Sequence, residues 1–334
     1  MVKRSAASAL SGTSAGKTLR NIVKGPIVGL LAIILFFAAV TPGFFSFGNF
    51  INIFNQIAIW GVLALGMTFV ISTGGVDLSV GCVLGLASMV MGYAAEYLGL
   101  PFPLAMLLGT LVGPVAGLIN GLLVSKVKLP PFIATLSMFY VARGLANIIT
   151  DGDQILNYPA WFIGLNYTRY LGFITVSGIV FLLLVGSSQF FLTKTGAGRN
   201  LLAVGGSEEV ARLSGINVDR HLILAYVISG TFAAIAGIMI ASRVNASEPA
   251  QGTTYELYAI AIAVIGGTSL SGGEGSIIGT LIGAFIIGIL NNGLNLNGIS
   301  PFIQTILVGV IIVFAVGLDM FSRTRGGSRP QHAA

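Results

Sequence analysis

The sequence predicts a polytopic all-α membrane protein with about ten transmembrane helices. Three observations support this class: 55% of the 334 residues are hydrophobic, 8% are charged, and long apolar runs follow one another along the chain. A soluble globular protein carries about 25% charged residues, so this chain lacks the charges needed to cover a water-exposed surface. The runs are predicted to be helices because lipid satisfies no backbone groups and because a barrel would need alternating strands.

Ten apolar runs define the elements in order. They cover residues 26–41, 50–72, 78–95, 101–124, 131–150, 175–192, 222–242, 257–270, 276–297 and 301–318. The run 257–270 is short enough to be a re-entrant segment, and the run 50–72 ends in a Gly-Gly break. We therefore predict eight to ten crossings, with an even number because both termini are basic.

The distribution of Lys and Arg predicts the orientation, because these residues concentrate in cytoplasmic loops. If the N-terminus is cytoplasmic and each run crosses once, 14 of the 17 Lys and Arg residues lie in cytoplasmic segments. The exceptions are Arg143, Arg169 and Arg243. Both termini are therefore predicted to be cytoplasmic, and the net charge of +6 reflects topology rather than binding to nucleic acid.

Three regions make up the predicted domain organisation. Residues 1–25 form a basic cytoplasmic tail, residues 26–320 a single transmembrane domain, and residues 321–334 a second basic cytoplasmic tail. The first tail is not predicted to be a cleaved signal peptide, because the run that follows it has no small-residue cleavage site. Two polar loops are long: 151–174 is predicted to lie outside, and 193–221 is predicted to lie in the cytoplasm, where such loops commonly bind a partner.

Two glycine-rich breaks separate apolar runs in the two halves of the chain. GGVDLSVG (74–81, the first break) and GGTSLSGG (266–273, the second break) agree at five of eight positions. Glycine interruptions in corresponding halves point to the central site of a transporter, since glycine lets the backbone unwind. The alternative is coincidence in a chain with 46 glycines. The residues that we assign to translocation or gating here are Gly74, Gly75, Asp77, Ser79, Gly266, Gly267 and Ser271.

Other polar residues near the runs leave two interpretations open. Asp77 either contacts the solute or stabilises the break, since acids beside spans are rare and usually functional. Ser79 is predicted to cap the following helix. Asn291, Asn292 and Asn295 partly share one helical face. They either line a polar path, which would add Asn291 and Asn292 to the translocation residues, or bond neighbouring helices.

Arginine and aromatic residues near the spans have simpler interpretations. Arg143 is predicted to face the bundle interior or a cavity, because contact with lipid costs about 2.5 kcal/mol or more. Four aromatic residues are interpreted as interfacial anchors rather than platforms for sugar stacking. They are Trp60, Trp161, Tyr167 and Tyr170.

A short string suggests an ATPase, and its context excludes that function. LSGGEG at 270–275 resembles the LSGGQ signature of ATP-binding-cassette ATPases, but it lies between two apolar runs. A nucleotide site also needs a phosphate loop. The GKT at 16–18 lacks the required glycine five positions earlier, where Ser11 stands, and no strand precedes it.

No enzyme site is predicted either. The chain has one cysteine, Cys82, and its two histidines, His221 and His332, lie far from it in predicted cytoplasmic segments. No cluster of metal ligands and no nucleophile–base pair is visible. The sequence therefore predicts no catalytic residue and no metal site.

Several longer stretches carry a family resemblance. They are ALGMTFVISTGGVDLSVG at 64–81, PPFIATLSMFYVARG at 130–144, LLAVGGSEEVARLSGINV at 201–218, ASEPAQGTT at 246–254 and YELYAIAIAVIGGTSLSGGEGSIIGTLIGAFIIGILNNGLNL at 255–296. On these motifs the chain resembles the permease subunit of bacterial ABC sugar importers, especially those for ribose, xylose and arabinose. Branched-chain amino acid permeases are more distant, since DLSVG resembles the sugar branch.

The resemblance implies a division of labour among several chains. This chain would form the permease domain in a bacterial inner membrane, as a homodimer or heterodimer with a second permease. A separate cytoplasmic ATPase would use ATP and Mg, so this chain would need no cofactor. A periplasmic binding protein would deliver a ribose-like or related monosaccharide, which would cross by alternating access.

The family also implies that the loop 193–221 carries the helix that docks on the ATPase. The residues that this assigns are Gly205, Gly206, Glu208, Glu209, Ala211, Arg212, Leu213, Ser214 and Gly215. Glu208 and Arg212 have the spacing of a favourable helical ion pair, and Ser207 is predicted to cap the helix. The alternative is a solvated helix that binds no partner.

Two other function classes fit the sequence less well. A secondary transporter driven by protons or sodium needs ionisable groups near the centres of its spans, whereas the acids here lie at edges and breaks. A structural or receptor membrane protein would need neither the long cytoplasmic loop nor the paired breaks.

Overall fold

The computed structural model describes residues 14–170 and 172–326, and these fold into a helical bundle. The helices are α1 (Ser14–Val40), α2 (Phe47–Ser72), α3 (Val80–Glu96), α4 (Phe102–Ser125), α5 (Pro131–Ile148), α6 (Ala160–Tyr167), α7 (Val176–Lys194), α8 (Gly196–Gly206), α9 (Glu208–Leu213), α10 (Val218–Val244), α11 (Tyr255–Ile265), α12 (Ile277–Leu296) and α13 (Pro301–Gly326). Two short strands, β1 (Ile155–Leu156) and β2 (Ala246–Ser247), complete the fold.

Each of the ten predicted runs contains a helix, so the polytopic all-α class is confirmed. Within the described residues, five helices are long and apolar enough to cross a membrane: α2, α4, α7, α10 and α12. Shorter apolar helices cover Gly25–Val40, α3, α11 and Pro301–Phe314. The number of crossings and the cytoplasmic location of the termini stay predictions from length and charge.

The run 257–270 is divided between a short helix and irregular chain. Its helix, α11, has 11 residues and is therefore about 16 Å long, against a hydrocarbon core of about 30 Å. The chain from 266 to 276 then leaves helical geometry before α12 begins. This length matches the short segment that the sequence suggested.

Helix α2 lies at the centre of the bundle. Every residue from Ile57 to Ser72 is buried, whatever its direction around the helix axis. A helix that is apolar on all sides must be surrounded by protein or lipid. Here the neighbours are helices, with α10, α12, α11 and α7 packed around α2. Movement of α2 would therefore change its packing against four neighbouring helices.

The most extensive contact in the bundle is between α4 and α10, and it depends on glycine. A Cβ atom added at Gly113 on α4 would overlap the carbonyl oxygen of Gly230 on α10, and one added at Gly117 would overlap the carbonyl oxygen of Tyr226. Small residues permit this close approach of two backbones, as is common for helix pairs in membranes. We call this contact the α4–α10 crossing.

The two ends of the bundle differ in character. One end, the basic end, carries the α4–α5 connection, α8, α9 and the start of α10. The other, the strand end, carries β1 and β2, which pair antiparallel with Ile155 opposite Ser247. Tyr158 secures this end, because its hydroxyl donates to the Ser247 hydroxyl at 2.6 Å. The loop predicted at 151–174 therefore contains a strand and α6, neither of which was predicted.

The first and last helices extend into the two predicted tails. α1 starts at Ser14, inside the predicted tail 1–25, and α13 ends at Gly326, inside the predicted tail 321–334. The remaining tail residues, 1–13 and 327–334, lie outside the described residues.

Candidate functional site at the glycine breaks

The first break uses its two leading glycines for different reasons. α2 ends at Ser72 and α3 begins at Val80. Gly74 has φ +81°, in the left-handed region that favours glycine. Gly75 has no such φ. Instead, a Cβ atom there would lie 2.6 Å from the hydroxyl oxygen of Tyr226 on α10. Gly74 thus makes the turn, and Gly75 makes room for α10.

Asp77 connects the first break to two other helices. Its side chain is 1% exposed. Oδ1 accepts bonds from the amide of Ser79 at 3.0 Å and from its hydroxyl at 2.6 Å, and Oδ2 accepts one from the Ser229 hydroxyl at 2.9 Å. The Asn120 amide donates to the Ser79 hydroxyl at 3.0 Å. This network joins the break to α10 and α4, and it favours a stabilising role for Asp77 over solute contact.

The prediction that the side chain of Ser79 caps α3 is wrong. Ser79 occupies the N-cap position, but its side chain makes no capping bond, and its backbone is helical rather than extended. The hydroxyl donates to Asp77 instead, because a bond to a carboxylate is stronger than one between neutral groups. The carboxylate of Asp77 also takes the amide of Ser79.

The second break combines a turn with a close approach to α12. Gly267 has φ +87°, and a Cβ atom at Gly266 would overlap the backbone carbonyl of Gly279. Ser276 caps α12, since its hydroxyl accepts the amide of Gly279 at 3.0 Å. Ser271 is exposed at the surface of the break. The end of α11 is thereby held directly against the first turn of α12.

The two breaks meet each other and the end of α8. The amide of Gly273 donates to the carbonyl of Ser72 at 3.0 Å. A Cβ atom at Gly205 would overlap that carbonyl oxygen, and one at Gly272 would lie 2.8 Å from the amide nitrogen of Gly74. We call these five residues the glycine junction. The sequence suggested the breaks and the cytoplasmic loop as separate features, and the fold places their backbones in contact.

The residues predicted to dock on an ATPase form α9 and its flanks. Ser207 caps α9, as predicted, by accepting the amide of Val210 at 3.3 Å. Ala211 is buried, whereas Val210 is 61% and Leu213 is 82% exposed. Gly215, with φ +79°, turns the chain away from α9. The remaining assigned residues are exposed except Gly205, which is partly buried; the exposed ones are Gly206, Glu208, Glu209, Arg212 and Ser214.

The predicted ion pair between Glu208 and Arg212 is wrong. Among the described residues, Arg212 pairs with Asp219, whose Oδ1 lies 3.5 Å from the guanidinium nitrogen Nη2. Asp219 also accepts Lys126 at 2.9 Å and Lys128 at 3.3 Å. Three cations from α9 and the α4–α5 connection therefore surround one acid at the start of α10, which draws Arg212 away from Glu208.

Glu208 lines a cavity beside the first break instead. This cavity has a volume of about 340 Å³, and its lining includes Gly74, Gly75, Lys128 and Tyr226. The Tyr226 side chain is fully buried, and its hydroxyl has no hydrogen-bond partner among the described residues. No sequence pattern pointed to Tyr226, because its relation to Gly75 depends on how α10 packs against the break.

Two of the three asparagines of α12, Asn292 and Asn295, bond residues of neighbouring helices. The side-chain amides of Asn292 and of Asn49 on α2 exchange two hydrogen bonds, of 2.7 and 2.9 Å. Asn291 donates to the carbonyl of Ile287 at 3.0 Å within its own helix, and Asn295 accepts from Gln304 at 2.7 Å. These contacts favour the interhelical interpretation over a polar path.

The anchor interpretation fails for one of the four aromatic residues. Trp60 is 7% exposed and stacks on Tyr258 with ring centroids 4.6 Å apart, so it lies inside the bundle rather than at a membrane interface. Trp161, Tyr167 and Tyr170 are at least half exposed, as interfacial anchors are.

Arg143 faces protein, as predicted. Its guanidinium donates to the Thr253 hydroxyl at 3.0 Å and to the carbonyl of Pro249. Both acceptors lie in the segment between β2 and α11, so Arg143 holds this segment against α5.

Comparison with known proteins identifies the family. Residues 49–316 match the family described as branched-chain amino acid transport system / permease component. The ribose import permease protein RbsC of Bacillus subtilis (strain 168) is 46% identical over 300 residues, which cover 88% of this chain and 92% of that protein.

Two further relatives are permeases for other sugars. The D-allose transport system permease protein AlsC of Escherichia coli (strain K12) is 38% identical, over 87% of this chain and 89% of that protein. The xylose transport system permease protein XylH of the same strain is 34% identical, over 94% of this chain and 95% of that protein. The matched share of each protein shows that these similarities extend over almost the whole permease.

Among solved structures, PsaBC from Streptococcus pneumoniae in complex with Fab aligns with 84% of this chain and 92% of that chain, at a TM-score of 0.44 and 17% identity. That likeness is too low to characterise the fold further. The sequence relatives confirm the resemblance to sugar-importer permeases. The chain belongs to the family of transport-system permease components, and within it to the permeases of ABC sugar importers.

Proposed function

We propose that this chain is the membrane pathway of an ATP-driven importer for a ribose-like or related monosaccharide in a bacterial inner membrane. The observation that carries the proposal is the glycine junction, where the end of α2 and the second break contact the end of α8 through backbone atoms. The relatives named for ribose, allose and xylose import support the substrate class.

The surface of α9 suits a protein partner. Two apolar side chains, Val210 and Leu213, are largely exposed at the basic end, and the acids Glu208 and Glu209 stand beside them. Hydrophobic residues grouped on an exposed element often mark a protein interface. We assign this surface to a separate cytoplasmic ATPase, which binds and hydrolyses ATP with Mg. This chain itself supplies no phosphate loop.

The glycine junction gives a route from that partner to the membrane pathway. Gly205 lies at the end of α8, immediately before α9, and it packs on the carbonyl of Ser72 without an intervening side chain. A shift of α8 and α9 must therefore displace the end of α2 and the second break together. Packed elements slide or rotate as units rather than deform continuously.

This arrangement supports alternating access as the transport mechanism. The ends of α2 and α11 and the starts of α3 and α12 all border the breaks, so their relative angles change when the breaks move. Nucleotide binding at the ATPase and arrival of a periplasmic binding protein would each favour one arrangement, which is the condition for coupling two sites. A second permease, identical or related, would form the other half of the pathway.

Reconstitution into proteoliposomes tests the proposal. The chain would be purified with its partner ATPase and binding protein, and uptake of radiolabelled ribose, xylose, allose and fructose would be measured. We expect concentrative uptake of at least one of these sugars. This uptake should require ATP on the side of the liposome membrane where the ATPase is bound. Uptake that persists without the ATPase would show a secondary transporter, and uptake of branched-chain amino acids alone would contradict the substrate class.

A variant of α9 tests the docking surface separately. Leu213→Glu places a charge in the exposed apolar patch, so we expect loss of co-purification with the ATPase while the permease keeps its elution profile. Arg220→Glu introduces the same acidic side chain at an exposed position just beyond the patch. It is the control and should leave ATPase binding unchanged. Unchanged ATPase binding by Leu213→Glu would contradict the assignment.

A further inference from the structure

Near the strand end, α2, α10 and α11 enclose a cavity of about 240 Å³. Its polar and aromatic lining consists of Gln56, Trp60, Arg243 and Tyr255, and we call it the aromatic pocket. Trp60 and Tyr255 meet edge to face, with ring centroids 6.1 Å apart at 89°. The pocket thus combines two aromatic walls with an amide and a guanidinium.

Two of the polar groups in the aromatic pocket have no partner in the part of the chain that the structure describes. Neither the Gln56 amide nor the Arg243 guanidinium makes a hydrogen bond or ion pair with any of the described residues. An arginine within a membrane helix is costly, and it normally pairs with protein groups or faces a polar cavity where it serves a function. Arg143 shows the paired case in this chain. The unpaired donors of Gln56 and Arg243 are therefore available to a ligand.

The surroundings of Arg243 favour a neutral ligand over an anion. Arg243 lies in the last turn of α10, where the free carbonyls give the helix end a partial negative charge. A neutral polyol accepts bonds from Arg243 and both gives and accepts bonds at the Gln56 amide. Its C–H groups pack against Trp60 and Tyr255.

Size and connection agree with that ligand class. Drug-sized ligands occupy pockets from about 300 Å³ upward, so a cavity of about 240 Å³ suits a single sugar ring. Two of the helices that form the pocket also lead to the breaks. From Trp60, α2 continues to its end at Ser72, and from Tyr255, α11 continues to its end at Ile265. Occupation of the pocket therefore acts on the helices that border the glycine junction.

We propose that the aromatic pocket is a binding site for the transported monosaccharide within this chain, on the side from which the solute enters. This inference rests on the proposed function and names a site that it uses. Binding must be weak for a transport site, since a solute has to leave as well as enter, so we expect half-saturation near the millimolar range.

Trp60 can report on the pocket directly, because the chain contains two tryptophans. In a Trp161→Phe background, the full chain in nanodiscs would be titrated with ribose, xylose, allose and fructose while Trp60 fluorescence is recorded. We expect a saturable change with at least one sugar. We also expect Arg243→Met and Gln56→Leu, added to that background, to raise the half-saturating concentration at least fivefold.

The controls separate binding from folding. Gln189→Leu changes a partly buried glutamine on α7, outside the pocket, and should leave the titration unchanged. Arg243→Lys keeps the positive charge, so its half-saturating sugar concentration should lie between those of the Trp161→Phe background and of Arg243→Met. No saturable change with any of the four sugars would overturn the proposal, and so would a stronger response to phosphate.

Uptake in the reconstituted complex distinguishes this inference from the proposed function. If the wild-type complex imports a sugar and the Arg243→Met and Gln56→Leu complexes import it with the same half-saturating concentration, the pocket proposal fails and the proposed function stands. If the wild-type complex imports no sugar, the proposed function fails. A raised half-saturating concentration with unchanged ATPase activity in the absence of sugar supports the pocket.

Discussion

Glycine brings backbones into contact in two regions of this protein, with different consequences. In the α4–α10 crossing the glycines lie inside long helices, α4 and α10, which continue on both sides of the contact. In the glycine junction they lie at helix ends and in irregular chain. One backbone hydrogen bond, from the amide of Gly273 to the carbonyl of Ser72, joins the second break to the end of α2. The first arrangement locks two helices together, whereas the second leaves the chain able to change its angles. The same residue type therefore supports rigidity or motion according to whether it lies inside a helix or at a helix end.

The largest effect is expected from filling the α4–α10 crossing. In Gly113→Val the new side chain would overlap the backbone of Gly230, and a backbone atom cannot rotate away. Overpacking of this kind costs about 1–3 kcal/mol, occasionally more, and we expect the upper end. Thermal unfolding in detergent would measure it. Gly186→Val on α7, where no atom of the described residues lies within 4 Å, is the control, and equal melting temperatures would contradict the rigid crossing.

A second pair of variants separates the junction from its immediate neighbour. The methyl group of Gly205→Ala would overlap the carbonyl oxygen of Ser72, whereas that of Gly206→Ala would have no atom of the described residues within 4 Å. We expect Gly205→Ala to lower ATP-driven uptake at least tenfold and Gly206→Ala to leave it within about twofold. Thermal unfolding in detergent would verify that both variants are folded before their uptake is compared. Similar uptake by the two would show that the junction is not on the coupling route.

A rescue experiment sharpens the role of the first break. In Gly75→Ala the methyl group would lie 2.6 Å from the Tyr226 hydroxyl oxygen, so we expect uptake to fall severalfold. Adding Tyr226→Phe removes that oxygen and should restore most of the loss.

Gly74→Ala is the matched control for this rescue. Among the described residues, the nearest atom to its methyl group is the carbonyl oxygen of Ser271 at 3.8 Å, and its strain comes from φ +81°. That strain costs about 1–2 kcal/mol for a left-handed residue. Tyr226→Phe should not rescue it. Rescue of both variants, or of neither, would reject the distinction between the two glycines.

The smallest effect is expected at the basic end. Asp219→Asn removes the acid shared by Lys126, Lys128 and Arg212, but the side chains of these three cations are 55–60% exposed. Exposed ion pairs contribute about 0–1 kcal/mol each and are screened by salt. We expect a change of a few degrees or less in melting temperature, smaller at high salt. A loss as large as that of Gly113→Val would place the rigid part of the protein at this end instead.

Local chemistry was readable in the sequence where a feature depends on neighbouring residues. The helical class followed from the apolar runs, the Ser207 cap from one hydroxyl before a helix, and the turn at Gly74 from a Gly-Gly pair. The features that were wrong depend on distant residues. Arg212 turns to Asp219 rather than Glu208, Ser79 bonds Asp77 rather than the helix it precedes, and Trp60 is covered by Tyr258.

The sequence by itself determined that this chain spans a membrane as helices, that it is interrupted by glycine in two places, and that it resembles sugar-importer permeases. These properties are written in composition, period and motif, which need no knowledge of what lies beside what. Only the tertiary structure decided that the two breaks and α8 share one junction and that Gln56 and Arg243 face one pocket. Such contacts join segments far apart in the chain, and helix packing alone sets which of their backbone and polar groups meet.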